Sequence, residues 1–72
     1  MDPFLSAFGS HIRALRRERG LLQKEFADRM GMDPTYLSGI EKGKRNPSLT
    51  NLPKIARALG LRVGDLFAFD ES

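Results

Sequence analysis

Apolar side chains recur along this chain at three- and four-residue intervals, in short runs punctuated by glycine and proline. That period predicts helices, and no alternating run of β-branched residues predicts a strand. Asp2 as a side-chain cap and Pro3 at the first helical position open a first helix whose stripe is Phe4, Leu5, Phe8, Ile12 and Leu15. Arg13 and Arg17 project elsewhere, and Gly20 ends the helix. A second helix runs from about Gln23 to Met30, burying Phe26, Ala27 and Met30, with Gly31 as its left-handed stop. Asp33 and Pro34 repeat the cap-plus-proline signal for a third, with Leu37 and Ile40 on its apolar face. A connection as short as Gly31-Met32-Asp33 makes these two helices cross steeply, as in a helix-turn-helix.

Gly43-Lys44-Arg45-Asn46-Pro47 reads as a loop. If Ser48 caps a fourth helix carrying Leu49, Leu52, Ile55, Ala56 and Leu59 toward the core, Pro53 makes its first turn irregular; otherwise the regular helix starts nearer Asn51. Gly60 closes it, and a last short helix from about Val63 to Phe69 turns Leu66 and Phe67 inward. The expectation is one all-α domain over 1–72, with its core at about 4–69.

A length of 72 residues leaves no room for a two-domain enzyme. With 40% apolar and 29% charged residues the composition is that of a folded globular chain. Asp65, Asp70 and Glu71 fall in the last eight positions, leaving twelve basic and six acidic groups in residues 1–64, a surplus that favours polyanionic partners. No cysteine and a single histidine, His11, supply no disulfide, metal set or nucleophile–base pair, so neither cofactor nor catalysis is expected. His11 reads as an exposed helical residue. No leader-like segment or bilayer-length apolar run appears, so a cytoplasmic protein with no membrane contact is expected.

On an idealised third helix, Thr35, Ser38, Gly39 and Lys42 fall opposite Leu37 and Ile40. Such a small polar face is either a solvated surface or one that can enter the DNA major groove. Gly39 costs about 1 kcal/mol against alanine in a helix interior, which is understandable if another surface approaches the backbone there. Lys42, Lys44, Arg45, Lys54 and Arg57 place five cations in sixteen residues with no acid between them, suited to gripping phosphates. Gln23 and the free N–H groups beside it suit a further phosphate, although Leu22 stands where a capping side chain belongs.

Ile12-Arg13-Ala14-Leu15-Arg16, Arg19-Gly20-Leu21-Leu22-Gln23, Phe26-Ala27, Gly31, Tyr36 through Arg45, Pro47-Ser48-Leu49 and Ile55 through Leu59 together resemble the phage repressor and Cro-like (XRE) helix-turn-helix family over residues 8–67. Asp33 through Asn46 resembles the small controller proteins of restriction–modification systems, a likeness that leaves phage repressors and antitoxins open. The resemblance implies a five-helix domain and a recognition helix at about 34–41. It also implies a homodimer that regulates transcription by reading two half-sites of double-stranded DNA; no small-molecule effector is evident in the sequence. Thr35 and Ser38, with Gly39, look like base-reading positions. Tyr36 either contacts DNA or packs. Gln23, Lys42, Lys44, Arg45 and Asn46 look like phosphate contacts, Gln23 also supporting the recognition helix. Pro34 and Gly39 stand where many members place long polar side chains, so few donors are available and DNA shape gains weight. Arg16 and Glu41 match positions of a partly buried ion pair.

Leu61, Val63, Leu66, Phe67 and Phe69 exceed what a short terminal helix needs for a core. The end either packs back or pairs, and pairing through Leu61, Val63, Phe67 and Phe69 is the favoured expectation. The competing function is a helical, antitoxin-like interaction module whose basic face binds an acidic protein.

Overall fold

A computed structural model describes residues 2–70; Glu71 of the acidic end lies outside the described residues, as do Met1 and Ser72. Helix α1 spans Pro3–Glu18, α2 Gln23–Met30, α3 Pro34–Glu41 and α4 Leu52–Leu59, with 3₁₀ turns at Leu49–Asn51 and Val63–Phe67 and no strand among the described residues.

The cap signals act as their chemistry requires. The Asp2 carboxylate accepts from the N–H groups of Phe4 at 2.8 Å and Leu5 at 3.4 Å, and that of Asp33 accepts from Thr35 N–H at 2.7 Å. Leu22 has no acceptor to offer the start of α2, but Glu25 Oε1 accepts from the Leu22 backbone N–H at 2.8 Å, which is half of a capping box. Gly31 ends α2 with φ +67°, a left-handed conformation that glycine adopts without a Cβ penalty. Ser48 makes no cap bond, its hydroxyl lying 3.3 Å from that of Thr50. The regular part of α4 therefore begins at Leu52, where Pro53 sits in the first turn and its missing N–H costs nothing.

The fifth α-helix expected from Val63 to Phe69 is instead a five-residue 3₁₀ turn, Val63–Phe67. Leu66 is fully buried but Phe67 is 39% exposed, contrary to its expected inward placement. At three residues per turn, adjacent side chains point about 120° apart, so only one of the two faces the core.

Ile12, Phe26, Leu37, Ile40, Ile55 and Leu66 form the centre of a core drawn from every helix. Helix α1 lies across the end of α3, and it does so at Gly9. A Cβ there would collide with the carbonyl oxygen of Ile40 and lie 2.7 Å from that of Glu41, so only glycine lets the two backbones meet. Arg19 Nε donates to the Leu59 carbonyl at 2.7 Å, tying the end of α1 to the end of α4.

The chain end packs back in part. The Phe69 ring lies 5.8 Å from that of Phe4, 6.3 Å from Phe8 and 5.4 Å from His11. His11 is thus half-buried rather than exposed, and its Nε2 is 3.0 Å from the Asp65 carbonyl oxygen, joining α1 to the last turn. No helix is long and apolar enough to cross a membrane, among the described residues.

Gly9→Ala is expected to destabilise the domain by about 1–3 kcal/mol or more through overpacking. Gly64→Ala, where a Cβ would meet nothing within 4 Å, serves as the comparison. Urea unfolding midpoints that coincide for the two variants would contradict the close approach.

Candidate nucleic-acid interface

The site is organised by a buried polar knot where α1, α2 and α3 meet. Arg16 Nε donates to Glu41 Oε2 at 2.7 Å and Arg16 Nη2 to Glu41 Oε1 at 3.0 Å, the paired geometry in which guanidinium and carboxylate match best. Arg16 Nη1 donates to the Leu21 carbonyl at 2.7 Å, and Gln23 Nε2 donates to Glu41 Oε1 at 3.0 Å. The two charged side chains are only 9% and 2% exposed, and no described buried side-chain polar atom lacks a partner. The expected structural pair therefore exists, and Gln23 supports α3 through it.

With its end held from inside, α3 turns its other face outward. Leu37 and Ile40 are buried, Thr35 is exposed, and Tyr36, Ser38 and Gly39 are half-exposed. The surface that approaches Gly39 belongs to the protein itself: a Cβ at Gly39 would collide with Cγ of Arg45. The Arg45 stem lies along the bare backbone of α3, and its guanidinium carbon stands 5.9 Å from the centre of the Tyr36 ring, a cation–π arrangement. Tyr36 is fixed in turn by Asn51, whose Nδ2 donates to the phenolic oxygen at 3.2 Å. Gly39 thus serves to seat Arg45, and Arg45 joins the outward face of α3 rather than standing apart in a loop.

The expected run of five cations does not form one clamp. Lys42 lines a polar cleft of about 340 Å³ with Arg13, Arg17, Gln23 and Ser38, bounded inside by Arg16 and Glu41. Arg13 and Arg17 are the residues that periodicity alone left unassigned. Their i, i+4 spacing on the side of α1 away from its apolar stripe is the signal that marks them. Lys44 is exposed beside the outward face. Lys54 and Arg57 point to another cleft, with Arg29, Met30 and Ala58.

An apolar groove of about 330 Å³ is lined by Phe4, Leu5, Phe8, Pro47, Leu49, Leu52 and Phe67, and by Asn46, which lies here rather than in the cleft with Lys42. Leu49, expected to face the core, is instead 81% exposed because it lies in the 3₁₀ turn ahead of α4 and off that helix's apolar stripe, and Phe4 is 41% exposed. The Phe67 ring stacks on Phe4 at 6.3 Å and tilts against Phe8 at 5.3 Å. Of the four expected pairing residues, Val63 and Phe67 are exposed, while Leu61 and Phe69 pack partly against the core.

Residues 12–66 match the family model described as helix-turn-helix. The control protein C.MunI from Mycoplasma sp is 47% identical over 69 residues, covering 94% of this chain and 93% of that protein. Among solved structures, the restriction-modification controller protein C.AhdI from Aeromonas hydrophila superposes with a TM-score of 0.86 at 43% identity, covering 88% of this chain and 96% of that one. SinR, a master regulator for biofilm formation solved in complex with DNA, superposes with a TM-score of 0.77 at 35% identity, covering 82% and 95%.

Glu41→Ala leaves a buried guanidinium without its counter-charge and is expected to cost about 3–5 kcal/mol. The neighbouring exposed substitution, Lys42→Ala, should stay within about 0.5 kcal/mol. Melting temperatures of the two variants measured side by side check the difference, and equal values would contradict the structural role of the pair.

Proposed function

The chain belongs to the helix-turn-helix family and is a DNA-binding transcription regulator, and on that premise we propose that it binds its operator as a homodimer with one α3 in the major groove of each half-site. The observation that carries this reading is the outward face of α3, which turns the exposed Thr35 and half-exposed Ser38 away from the core and is bordered by cations that form no ion pair among the described residues. Thr35, Tyr36, Ser38 and the Gly39 backbone beside the Arg45 stem face the base edges, and Arg45 reaches a phosphate from its seat. Lys42, Lys44, Arg13 and Arg17 grip the phosphates on either side, with Gln23 and the start of α2 holding another. Few of these groups make bidentate bonds to bases, so methyl contacts and groove shape carry much of the discrimination.

The apolar groove supports pairing. Leu49 stands exposed beside a hollow walled by Phe4, Phe8 and Phe67, and a two-fold axis lets each copy offer the same knob and hollow to the other. The half-sites then lie about one helical turn, roughly 34–36 Å, apart. In this reading no small-molecule effector intervenes, and occupancy follows protein concentration through the dimerisation equilibrium. The similarity to C.MunI and C.AhdI supports a role in controlling a restriction–modification system.

Titration of a mixed-sequence duplex across a salt series tests DNA contact. The double variant Lys44→Ala, Arg45→Ala should lose about two units of log–log salt slope; an unchanged slope would remove both residues from the phosphate contacts. For the dimer, Leu49→Asp should give a folded monomer in sedimentation, whereas a dimer that persists would exclude the groove.

A further inference from the structure

The cleft that takes Lys54 and Arg57 away from the outward face of α3 has a chemistry of its own. Arg29 from the last turn of α2 and Lys54 and Arg57 from α4 ring a hollow of about 400 Å³ whose floor is Met30 and Ala58. All three cations are exposed, and none has an ion pair or side-chain hydrogen bond among the described residues. None of the lining residues is acidic. Like charges converging over a low-dielectric floor focus a positive potential, so the hollow attracts anions.

Its shape selects among them. A sugar–phosphate rail carries charge but offers no side chain to Met30 and Ala58. A protein helix with carboxylates beside an apolar stripe offers both at i, i+3 and i+4 spacing. Methionine and arginine are also enriched at protein interfaces. Position in the fold points the same way. Asn51, in the 3₁₀ turn just before α4, contacts Tyr36 of α3, whereas Lys54 and Arg57 on α4 line a hollow shared with α2. No residue of α3 or of the 42–46 loop lines the hollow.

We propose that this cleft binds an acidic amphipathic helix of a protein partner, its carboxylates on Arg29, Lys54 and Arg57 and its apolar side chains on Met30 and Ala58. Because the cleft shares no lining residue with the outward face of α3, that helix docks while α3 holds DNA, which gives a bound regulator a protein contact as well as a nucleic-acid one.

The probe is a fluorescent synthetic peptide about 20 residues long, enough for a stable helix, with glutamates on one face and leucines on the other. A second peptide has serine in place of every leucine. The leucine peptide should bind the wild-type protein, and Arg29→Gln, Lys54→Gln, Arg57→Gln together should weaken it by about tenfold or more. Replacing leucine by serine should weaken it similarly, and Lys44→Ala, Arg45→Ala should leave it unchanged. With a mixed-sequence duplex added, peptide, protein and duplex should co-sediment.

Absence of leucine-peptide binding, or equal binding of the two peptides, overturns the proposal. A peptide displaced by duplex, or lost in the Lys44, Arg45 variant, assigns binding to the α3 side instead. A triple variant that lowers the duplex salt slope while binding peptide normally makes the cleft a DNA grip and overturns the proposal. Failure of wild-type protein to bind duplex at low salt would strike the DNA-binding dimer, and the peptide arms would still decide the cleft.

Discussion

A recognition helix must be held firmly from behind while its front stays bare. Here the hold is electrostatic. Glu41 closes α3 and is drawn into the interior by Arg16 of α1, which also clasps the Leu21 carbonyl, while Gln23 of α2 reaches the same carboxylate. A buried ion pair gains little over well-packed apolar residues, because desolvation offsets most of the attraction. Its value lies in direction: two planar groups satisfied by parallel bonds allow a single mutual orientation, and that orientation fixes α3 against the other two elements. An apolar substitute would hold the helices together with less control over their angle.

The contact at Gly9 complements this hold. With no side chain between them, the backbone of α1 rests on the last carbonyls of α3, a second contact at the same end of the helix. The core behind it is small, and a small core yields only a few kcal/mol of net stability. Orientation of the site and survival of the fold therefore depend on the same few residues.

Much of this was legible along the chain because its signals are local. Asp2-Pro3 and Asp33-Pro34 mark helix starts by side-chain chemistry with the next few N–H groups, and Gly31 marks a stop by its own conformation. The apolar period then assigned Phe8, Ile12, Phe26, Leu37 and Ile55 to the core correctly. What periodicity reports, however, is direction around one helix axis, not the neighbour that stands there. Arg13 and Arg17 pointed away from the core, but only the crossing of α1 over α3 brings them beside Lys42. Lys54 and Arg57 are close to Arg45 in sequence yet face α2. His11 looked solvated because the residues that cover it, Asp65 and Phe69, arrive from the far end of the chain. The last turn was overestimated because a run of apolar residues does not distinguish α from 3₁₀ geometry.

The seat of Arg45 on Gly39 has a consequence for how such a protein changes over generations. A larger residue at position 39 displaces the arginine, and a shorter one at position 45 leaves the glycine with no neighbour and only its helix-weakening effect. Neither site drifts alone without penalty. A change that enlarges position 39 therefore gives up the arginine's seat unless position 45 changes with it.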